Sequence, residues 1–265
     1  MVTLEKVRRD APWSWIKGAM SDMAAAPLVS IGYGAVFTGI GIAITLGLWF
    51  AGLVTYTPVL VGGFALVAPI FAVGIYCVSQ KRDAGETPQL LDFWRISGSR
   101  LTQIGLLSVL LFVFFLAWAR LAQFLFAMIA AGDTDFRLDS MINFMFTDPS
   151  GVTLLAVGTA IGAVLAFAAF TVSALSFPMI IDQDVDAVTA VVASIKAVVK
   201  NPLAMVTWAW LIAFFTAAGA AFFLVGLAVT FPLIAHASWR AYKDFAPRPK
   251  PSAAALEAQS KGVQP

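Results

Sequence analysis

The stretch LLSVLLFVFFLAWARLAQFLFAMIA, residues 106–130, contains one charged residue, Arg120. A helix that crosses a bilayer needs about 20 consecutive apolar residues, and this stretch meets that requirement. Comparable runs recur along the 265-residue chain, which is 60% hydrophobic and 12% charged. Soluble domains carry about 25% charged residues. The sequence therefore predicts an all-α polytopic membrane protein whose main partner is the lipid bilayer, and we expect no nucleic-acid partner.

The apolar runs predict six membrane spans. They are Leu28–Leu53, Pro58–Ser79, Leu101–Ala131, Val152–Ile181, Leu203–Ala217 and Gly219–His236. The break at Gly219 is weak, so residues 203–236 are either one long helix or a hairpin. Six spans place 15 of the 17 Lys and Arg residues on the cytoplasmic side, as the positive-inside rule requires. We therefore predict six spans, with both termini on the cytoplasmic side of the membrane.

The spans form three predicted hairpins, each preceded by a short amphipathic helix in the membrane interface. Apolar residues at helical spacing predict these interfacial helices within residues 13–23, 90–101 and 186–200. The domain boundaries follow: a cytoplasmic N-terminus over 1–27, a membrane domain over 28–245 and a disordered cytoplasmic tail over 246–265. The N-terminus has no signal-peptide pattern, so we expect the first span to direct insertion. A polar loop is predicted over 132–151.

A short pattern recurs in the second helix of each hairpin. The segments are ALVAPIFAVGIY from residue 65, ALSFPMIIDQ from residue 174 and AVTFPLIAHASW from residue 228, and they contain Pro69, Pro178 and Pro232. This spacing predicts a threefold repeat of interfacial helix, outward helix and inward helix. The prolines either shape helix packing or free carbonyl groups that line a cavity. We favour the packing interpretation.

Glycines recur along the first span. They are Gly32, Gly34, Gly39, Gly41 and Gly47. Small residues allow helices in a membrane to approach closely, and we interpret these glycines in that way. A glycine-lined conduit is the alternative.

Three aspartates lie at alternate positions after the fourth span. Asp182, Asp184 and Asp186 resemble the start of a calcium loop, but such a loop needs Gly at its sixth position and Glu at its twelfth. The chain has Ala187 and Ala193 there. The alternative is that Asp184 or Asp186 caps a helix over 187–200, where an acidic residue suits the helix dipole. We predict capping and no metal site.

Arg120 is the charged residue within the third span. A charge at the bilayer centre is costly and marks a functional site by default. However, Arg120 lies near the predicted outer end of its span, beside Trp118, where its side chain can reach the headgroups. We therefore predict that Arg120 snorkels, and a buried functional charge is the alternative.

His236 is the only histidine, and Cys77 is the only cysteine. With the neighbouring Trp239 and Arg240, His236 predicts a cationic and aromatic membrane anchor, with a metal or haem ligand as the alternative. A single cysteine excludes an intrachain disulfide. The chain has no recognisable Ser/His/Asp set, intramembrane carboxylate pair or phosphate loop. We therefore predict no catalytic, cofactor-binding or metal-binding residues and no cofactor.

Three segments resemble a known family. They are SFPMIIDQDVDAVTAVVASIKAVVKNPLAMVTWAW from residue 176, GGFALVAPIFAVGIYCVSQKRDAGETP from residue 62 and FPLIAHASWRAYKDF from residue 231. They are similar to the proteobacterial integral membrane family called domain of unknown function 2189, over residues 12–245. The family has no established activity, so the resemblance implies no catalytic residue. The distribution of the family implies a location in the bacterial inner membrane. Some members carry the label of a cytochrome c oxidase subunit, but a haem-copper core needs several histidines.

The sequence favours a structural or accessory component of a membrane complex, respiratory or other. Its partners would be other membrane-protein subunits or further copies of this chain. The alternative is a small-solute transporter or channel built from the threefold hairpin repeat. An enzyme acting on lipids is a third hypothesis, which is weaker because the sequence has no recognisable nucleophile.

Overall fold

The computed structural model describes residues 5–53, 56–129, 138–183, 185–222 and 224–246. These residues form helices and connecting turns without a strand, so the all-α prediction is confirmed for them. The helices are α1 (Ala11–Ala25), α2 (Pro27–Phe50), α3 (Thr57–Phe71), α4 (Val73–Asp83), α5 (Gly98–Ile129), α6 (Leu138–Thr147), α7 (Pro149–Ser173), α8 (Ser176–Asp182), α9 (Ala187–Lys200), α10 (Pro202–Ala221) and α11 (Leu227–Phe245). The predicted tail lies outside the described residues, apart from residue 246.

Five stretches of the described chain are long and apolar enough to cross a membrane. They are Pro27–Phe50, Val59–Asp83, Gly98–Ile129, Pro149–Asp182 and Pro202–Ala221. These stretches correspond to the first five predicted spans. Helix α6 lies within the predicted polar loop.

The predicted boundary of the sixth span is wrong. Helix α10 continues to Ala221, and α11 begins at Leu227 after a turn in which Leu224 has a φ of 65°. Residues 203–236 are thus two helices, but Gly219 lies inside the first of them. A Cβ on Gly219 would lie 2.2 Å from the Thr230 Oγ1, so this glycine permits a close helix contact and does not form the turn.

The second and fourth predicted spans are each interrupted, between α3 and α4 and between α7 and α8, whereas the sequence predicted continuous helices. Proline lacks the N–H of a helical hydrogen bond, and its ring clashes with the carbonyl four residues earlier. For Pro178 that residue is Ala174, where α7 ends. The hydroxyl of Ser194 fills the interruption, because it accepts from the Leu175 N–H at 3.2 Å and donates to the Thr171 carbonyl at 2.8 Å. It replaces the lost helical bond between these two residues.

The other two prolines are also close to interhelical contacts. Near Pro69, where α3 gives way to α4, the Tyr33 hydroxyl donates to the Phe71 carbonyl at 2.9 Å. Pro232 leaves the Ala228 carbonyl without its helical donor, and the backbone of Gly34 packs there. A Cβ on Gly34 would lie 2.2 Å from that carbonyl oxygen. These contacts are the ones that the packing interpretation of the prolines requires.

Two of the three predicted interfacial segments form α-helices, α1 and α9. Each is connected to the next helix in the same way, by one non-helical residue followed by a proline. The connecting residues are Ala26 (φ −137°, ψ 58°) and Asn201 (φ −129°, ψ 53°). The prediction for residues 90–101 is not confirmed, since Asp92–Arg95 forms a 3₁₀ helix and residues 98–101 belong to α5. Its hydrogen bonds to Lys81 and Gln89 hold Asp92 beside α4, so a longer helix does not form there.

The membrane helices form two groups. In the first group, α11 lies between α2 and α10, and in the second group α3, α5 and α7 pack on one another. The two groups are joined mainly at one end, where α4, α8 and the C-terminal half of α11 pack pairwise, with α1 and α9 around them. Residues 73–79 and 176–181 are all buried. This end, which the charge distribution predicts to be cytoplasmic, holds most of the core.

We expect α11 to be the sixth membrane crossing. A reporter fused after residue 246 should therefore lie in the cytoplasm, and one fused after Phe222, at the end of α10, should lie on the opposite side. Alkaline phosphatase activity and green fluorescence of paired fusions measure this. Phosphatase activity at both positions would leave five crossings and contradict the proposed topology.

Gly34→Ala should destabilise the protein by about 2 kcal/mol or more, because the new methyl group would meet the backbone of α11, which cannot yield as a flexible side chain would. The matched control is Gly41→Ala in the same helix, where a Cβ would have open space. That variant should be neutral or up to about 1 kcal/mol more stable, because Ala is the better helix former. Thermal unfolding of the purified variants measures both, and equal effects would refute the close contact.

Candidate functional site: a buried polar junction

Six polar side chains converge where the two helix groups join. They are Asp22 of α1, Ser30 of α2, Ser79 and Arg82 of α4, and His236 and Arg240 of α11, and we call this set the polar junction. The junction is the most extensive buried polar arrangement among the described residues, and it is therefore the candidate functional site.

His236 is fully buried between two serines. Its Nε2 lies 2.9 Å from the Ser30 Oγ, and its Nδ1 lies 2.8 Å from the Ser79 Oγ. A neutral imidazole has one donor and one acceptor nitrogen, and a hydroxyl can take either role, so both nitrogens are satisfied. The predicted membrane anchor is wrong for His236 and Trp239, because both are 0% exposed. His236 instead connects α2, α4 and α11.

Asp22 lies beside the histidine and is 2% exposed. Its carboxylate accepts from the Arg240 Nε at 2.7 Å and also from Arg82 and the second Arg240 nitrogen. Burial raises the pKa of the Asp22 carboxyl, but the hydrogen bond and charge of Arg240 and the charge of Arg82 outweigh it. The pKa of Asp22 is consequently below its ordinary value, and the residue is a carboxylate at neutral pH.

Asp182 lies at the end of α8 and accepts from the Tyr242 hydroxyl at 2.7 Å. The Lys243 ammonium is 3.3 Å from the same carboxylate oxygen. Asp182 therefore connects α8 to α11.

The predicted cap of α9 is confirmed for Asp186. Its carboxylate accepts from the Thr189 N–H at 2.8 Å and from the Thr189 hydroxyl at 2.7 Å. Asp184, the other predicted cap, lies outside the described residues.

Two tryptophan indoles extend the same arrangement around α11. The Trp239 Nε1 donates to Asp83 of α4 at 2.8 Å, and the Trp15 Nε1 of α1 donates to Asp244 at 3.0 Å. Helix α11 is thus hydrogen-bonded through carboxylates to α1, α4 and α8. Its C-terminal half is the centre of the folded end of the molecule.

Arg120 lies apart from the junction. Its side chain is exposed on α5 and makes one hydrogen bond, 3.3 Å from its Nη1 to the Gln123 Oε1 on the same helix. An exposed guanidinium in an apolar helix can reach the headgroup region, as the snorkelling interpretation requires.

The junction can fasten helices, but its chemistry does not resemble a catalytic site. The second nitrogen of His236 meets the Ser79 hydroxyl, where a nucleophile–base–acid set would have a carboxylate. Because His236 is 0% exposed, a substrate does not reach it in this conformation. Within the described part of the chain, no group of three or more His, Cys, Asp or Glu side chains is arranged to hold a metal ion.

Sequence reasoning missed Asp22, Ser30, Ser79 and Arg82. Serines are ordinary in membrane helices, and Asp22 resembles any acidic residue on the polar face of an amphipathic helix. The clearest signal available was a carboxylate next to an apolar span, which suggests a buried partner but does not identify it.

Five apolar stretches of spanning length among the described residues define a polytopic integral membrane protein. Residues 56–182, from the start of α3 to the end of α8, match the family model described as "Predicted integral membrane protein (DUF2189)". The resemblance seen in the sequence is confirmed for this segment, which is shorter than the 12–245 expected. No curated protein and no solved structure matches the chain.

Asp22→Asn should lower the stability at neutral pH, because two guanidinium groups lose their shared carboxylate. Breaking a fully buried pair costs about 3–5 kcal/mol, and we expect less here because Arg82 and Arg240 are partly exposed. The folded-state pKa of Asp22 lies below its ordinary value of 3.8, so its contribution is present above that value and is lost as the pH falls through the folded-state pKa. The difference from wild type should therefore vanish in acid.

Asp10→Asn is the matched control, because Asp10 pairs with Arg8 on the exposed surface. Exposed pairs contribute about 0–1 kcal/mol. Thermal unfolding of both variants measures the effect. It is followed from about pH 7 down to about pH 3, because carboxylates become protonated as the pH falls. Equal losses for Asp22→Asn and Asp10→Asn would contradict a fastening role for the junction.

Proposed function

We propose that the protein is a structural or accessory component of a complex in the bacterial inner membrane, with both termini in the cytoplasm. It acts by packing against other membrane subunits rather than by catalysis. The observation that carries this proposal is the contrast between the two ends of the molecule. The polar junction fastens one end, whereas the remainder of the spans exposes large apolar side chains.

Helices α7 and α10 both expose large apolar side chains. These helices belong to different groups and do not pack along each other. Their exposed side chains include Val164 and Phe167 on α7, and Trp210 and Phe214 on α10, whose rings stack 5.4 Å apart. Helices in a membrane associate through van der Waals packing, and a transmembrane helix of a partner subunit would gain such contacts here.

A small-solute transporter is the second candidate, and the interrupted inward helices favour it. Transporters often bind substrates at breaks in their helices, where free backbone groups face a cavity. Here Tyr33 and Ser194 already occupy the groups near the two interruptions. Arg120, the remaining candidate for a substrate contact, is exposed and hydrogen-bonded within its own helix. The accessory role therefore has more support.

Photo-crosslinking from the membrane tests the proposal. A photoreactive amino acid at position 164 or 214 should give an adduct of one defined size, and mass spectrometry should identify it as a subunit of one complex. The control position is 44 in α2, which is also exposed and lies on a different helix of the first group. Adducts with lipid alone, or with further copies of this chain alone, would refute the accessory role.

Arg120 separates the two candidates. Arg120→Lys and Arg120→Trp should insert, fold and crosslink as the wild type does, because either side chain can occupy the interface. A transporter that uses the guanidinium would instead lose uptake in Arg120→Ala while still inserting. Loss of complex formation in Arg120→Trp would count against the anchor role of this residue.

A further inference from the structure

A basic cavity opens beside the polar junction. It has a volume of about 400 Å³ and lies between α4, the 3₁₀ helix, the start of α5 and the end of α8. This volume is within the range of about 300–1,000 Å³ typical of ligand pockets. The side chains that carry its chemistry are Lys81, Asp92, Arg95, Ser97, Ser99 and Arg100.

The cavity has more positive than negative charge. Asp92, which is 5% exposed, accepts from the Lys81 Nζ at 2.9 Å and from the Gln89 N–H at 2.6 Å. Burial raises the pKa of Asp92, but the hydrogen bonds of Lys81 and Gln89 outweigh it, so the residue stays ionised. Glu86 lies 3.8 Å from Lys81 and is exposed. The acidic side chains are thus associated with Lys81.

Arg95 and Arg100 are positive charges of the cavity that no acidic side chain pairs with among the described residues. Neither guanidinium forms a hydrogen bond or ion pair with another residue in the described part of the chain. Arginine carries a planar fork of donors that matches the oxygens of a phosphate group. The hydroxyls of Ser97 and Ser99, 3.2 Å apart, are hydrogen-bonded to each other and leave one O–H to donate at the same wall.

We infer that this cavity binds a phosphate group, carried either by an anionic phospholipid or by a soluble phosphate ester. The cavity lies where α4 ends and α5 begins, which is the level of the lipid headgroups for two predicted spans. Trp94, Leu91 and Leu101 nearby are 74%, 61% and 50% exposed, so they are free to contact lipid. Basic pockets between membrane helices on the cytoplasmic side recognise anionic headgroups in this way. The inference does not depend on the proposed accessory role.

The positive-inside rule alone would also place arginines here, and a matched pair of double variants separates the two explanations. Arg95→Gln with Arg100→Gln removes two positive charges from the cavity. Lys196→Gln with Lys200→Gln removes two positive charges from α9, outside the cavity. General attraction to an anionic membrane would weaken equally in both, whereas a site would be lost only in the first.

The experiment uses the full chain in nanodiscs of phosphatidylcholine that contain a minor fraction of phosphatidylglycerol. Native mass spectrometry after release should find one retained phosphatidylglycerol on the wild type and on the α9 variant. Retention should fall at least about tenfold in the cavity variant, which corresponds to about 1.4 kcal/mol. Lipid retained in equal amounts by all three proteins, or lost equally in both variants, would overturn the inference.

A second arm identifies the source of the phosphate. Glycerol 3-phosphate and inorganic phosphate are titrated against the detergent-purified protein by calorimetry. Saturable binding that the cavity variant alone loses, without retained lipid, would assign a soluble phosphate ester. Binding of neither lipid nor soluble phosphate would refute the site. Ser99→Asp is the additional variant, because it adds a negative charge at the cavity, keeps both arginines and should also abolish binding.

Discussion

The burial of the Asp22 carboxylate between two guanidinium groups is the interaction on which the arrangement of the hairpins depends. An ionised carboxylate is costly to remove from water unless charged partners satisfy it. Its partners here are Arg82 of α4 and Arg240 of α11, the inward helices of the first and third hairpins. These helix ends cannot separate without exposing or unpairing the carboxylate. His236 adds a second requirement of the same kind, because both of its nitrogens need Ser30 and Ser79.

Proline imposes a second constraint on the inward helices. In each repeat an alanine lies four residues before the proline, so the carbonyl that loses its helical donor belongs to the smallest chiral residue. Side chains of other helices donate near two of these prolines, the Tyr33 hydroxyl to the Phe71 carbonyl and the Ser194 hydroxyl to the Thr171 carbonyl. At Pro232 the backbone of Gly34 instead packs against the Ala228 carbonyl. The first and third hairpins also share the joint between their interfacial and outward helices. The corresponding segment before α5 contains a 3₁₀ helix, so the threefold repeat stays a prediction.

The sequence predicted the helical class, five of the spans and the cap at Asp186, because each depends on residues close together in the chain. It could not distinguish a glycine that turns the chain from one that allows close packing, and Gly219 is of the second kind. The junction was beyond local reasoning, since its hydrogen bonds join residues 206 positions apart (Ser30 and His236) and 218 apart (Asp22 and Arg240). For the same reason a buried histidine resembled a membrane anchor.

The end of α4 links the polar junction to the basic cavity. Lys81 and Arg82 are consecutive, and successive side chains on a helix point about 100° apart. Lys81 therefore faces the cavity and pairs with Asp92, while Arg82 faces the junction and pairs with Asp22. An anion bound beside Lys81 would contact α4, the short helix that also contributes Ser79 and Arg82 to the polar junction. Because residues 73–79 of this helix are buried on all sides, it cannot shift towards the cavity without disturbing the contacts of His236 with Ser79. The cavity and the junction thus share one helix, α4.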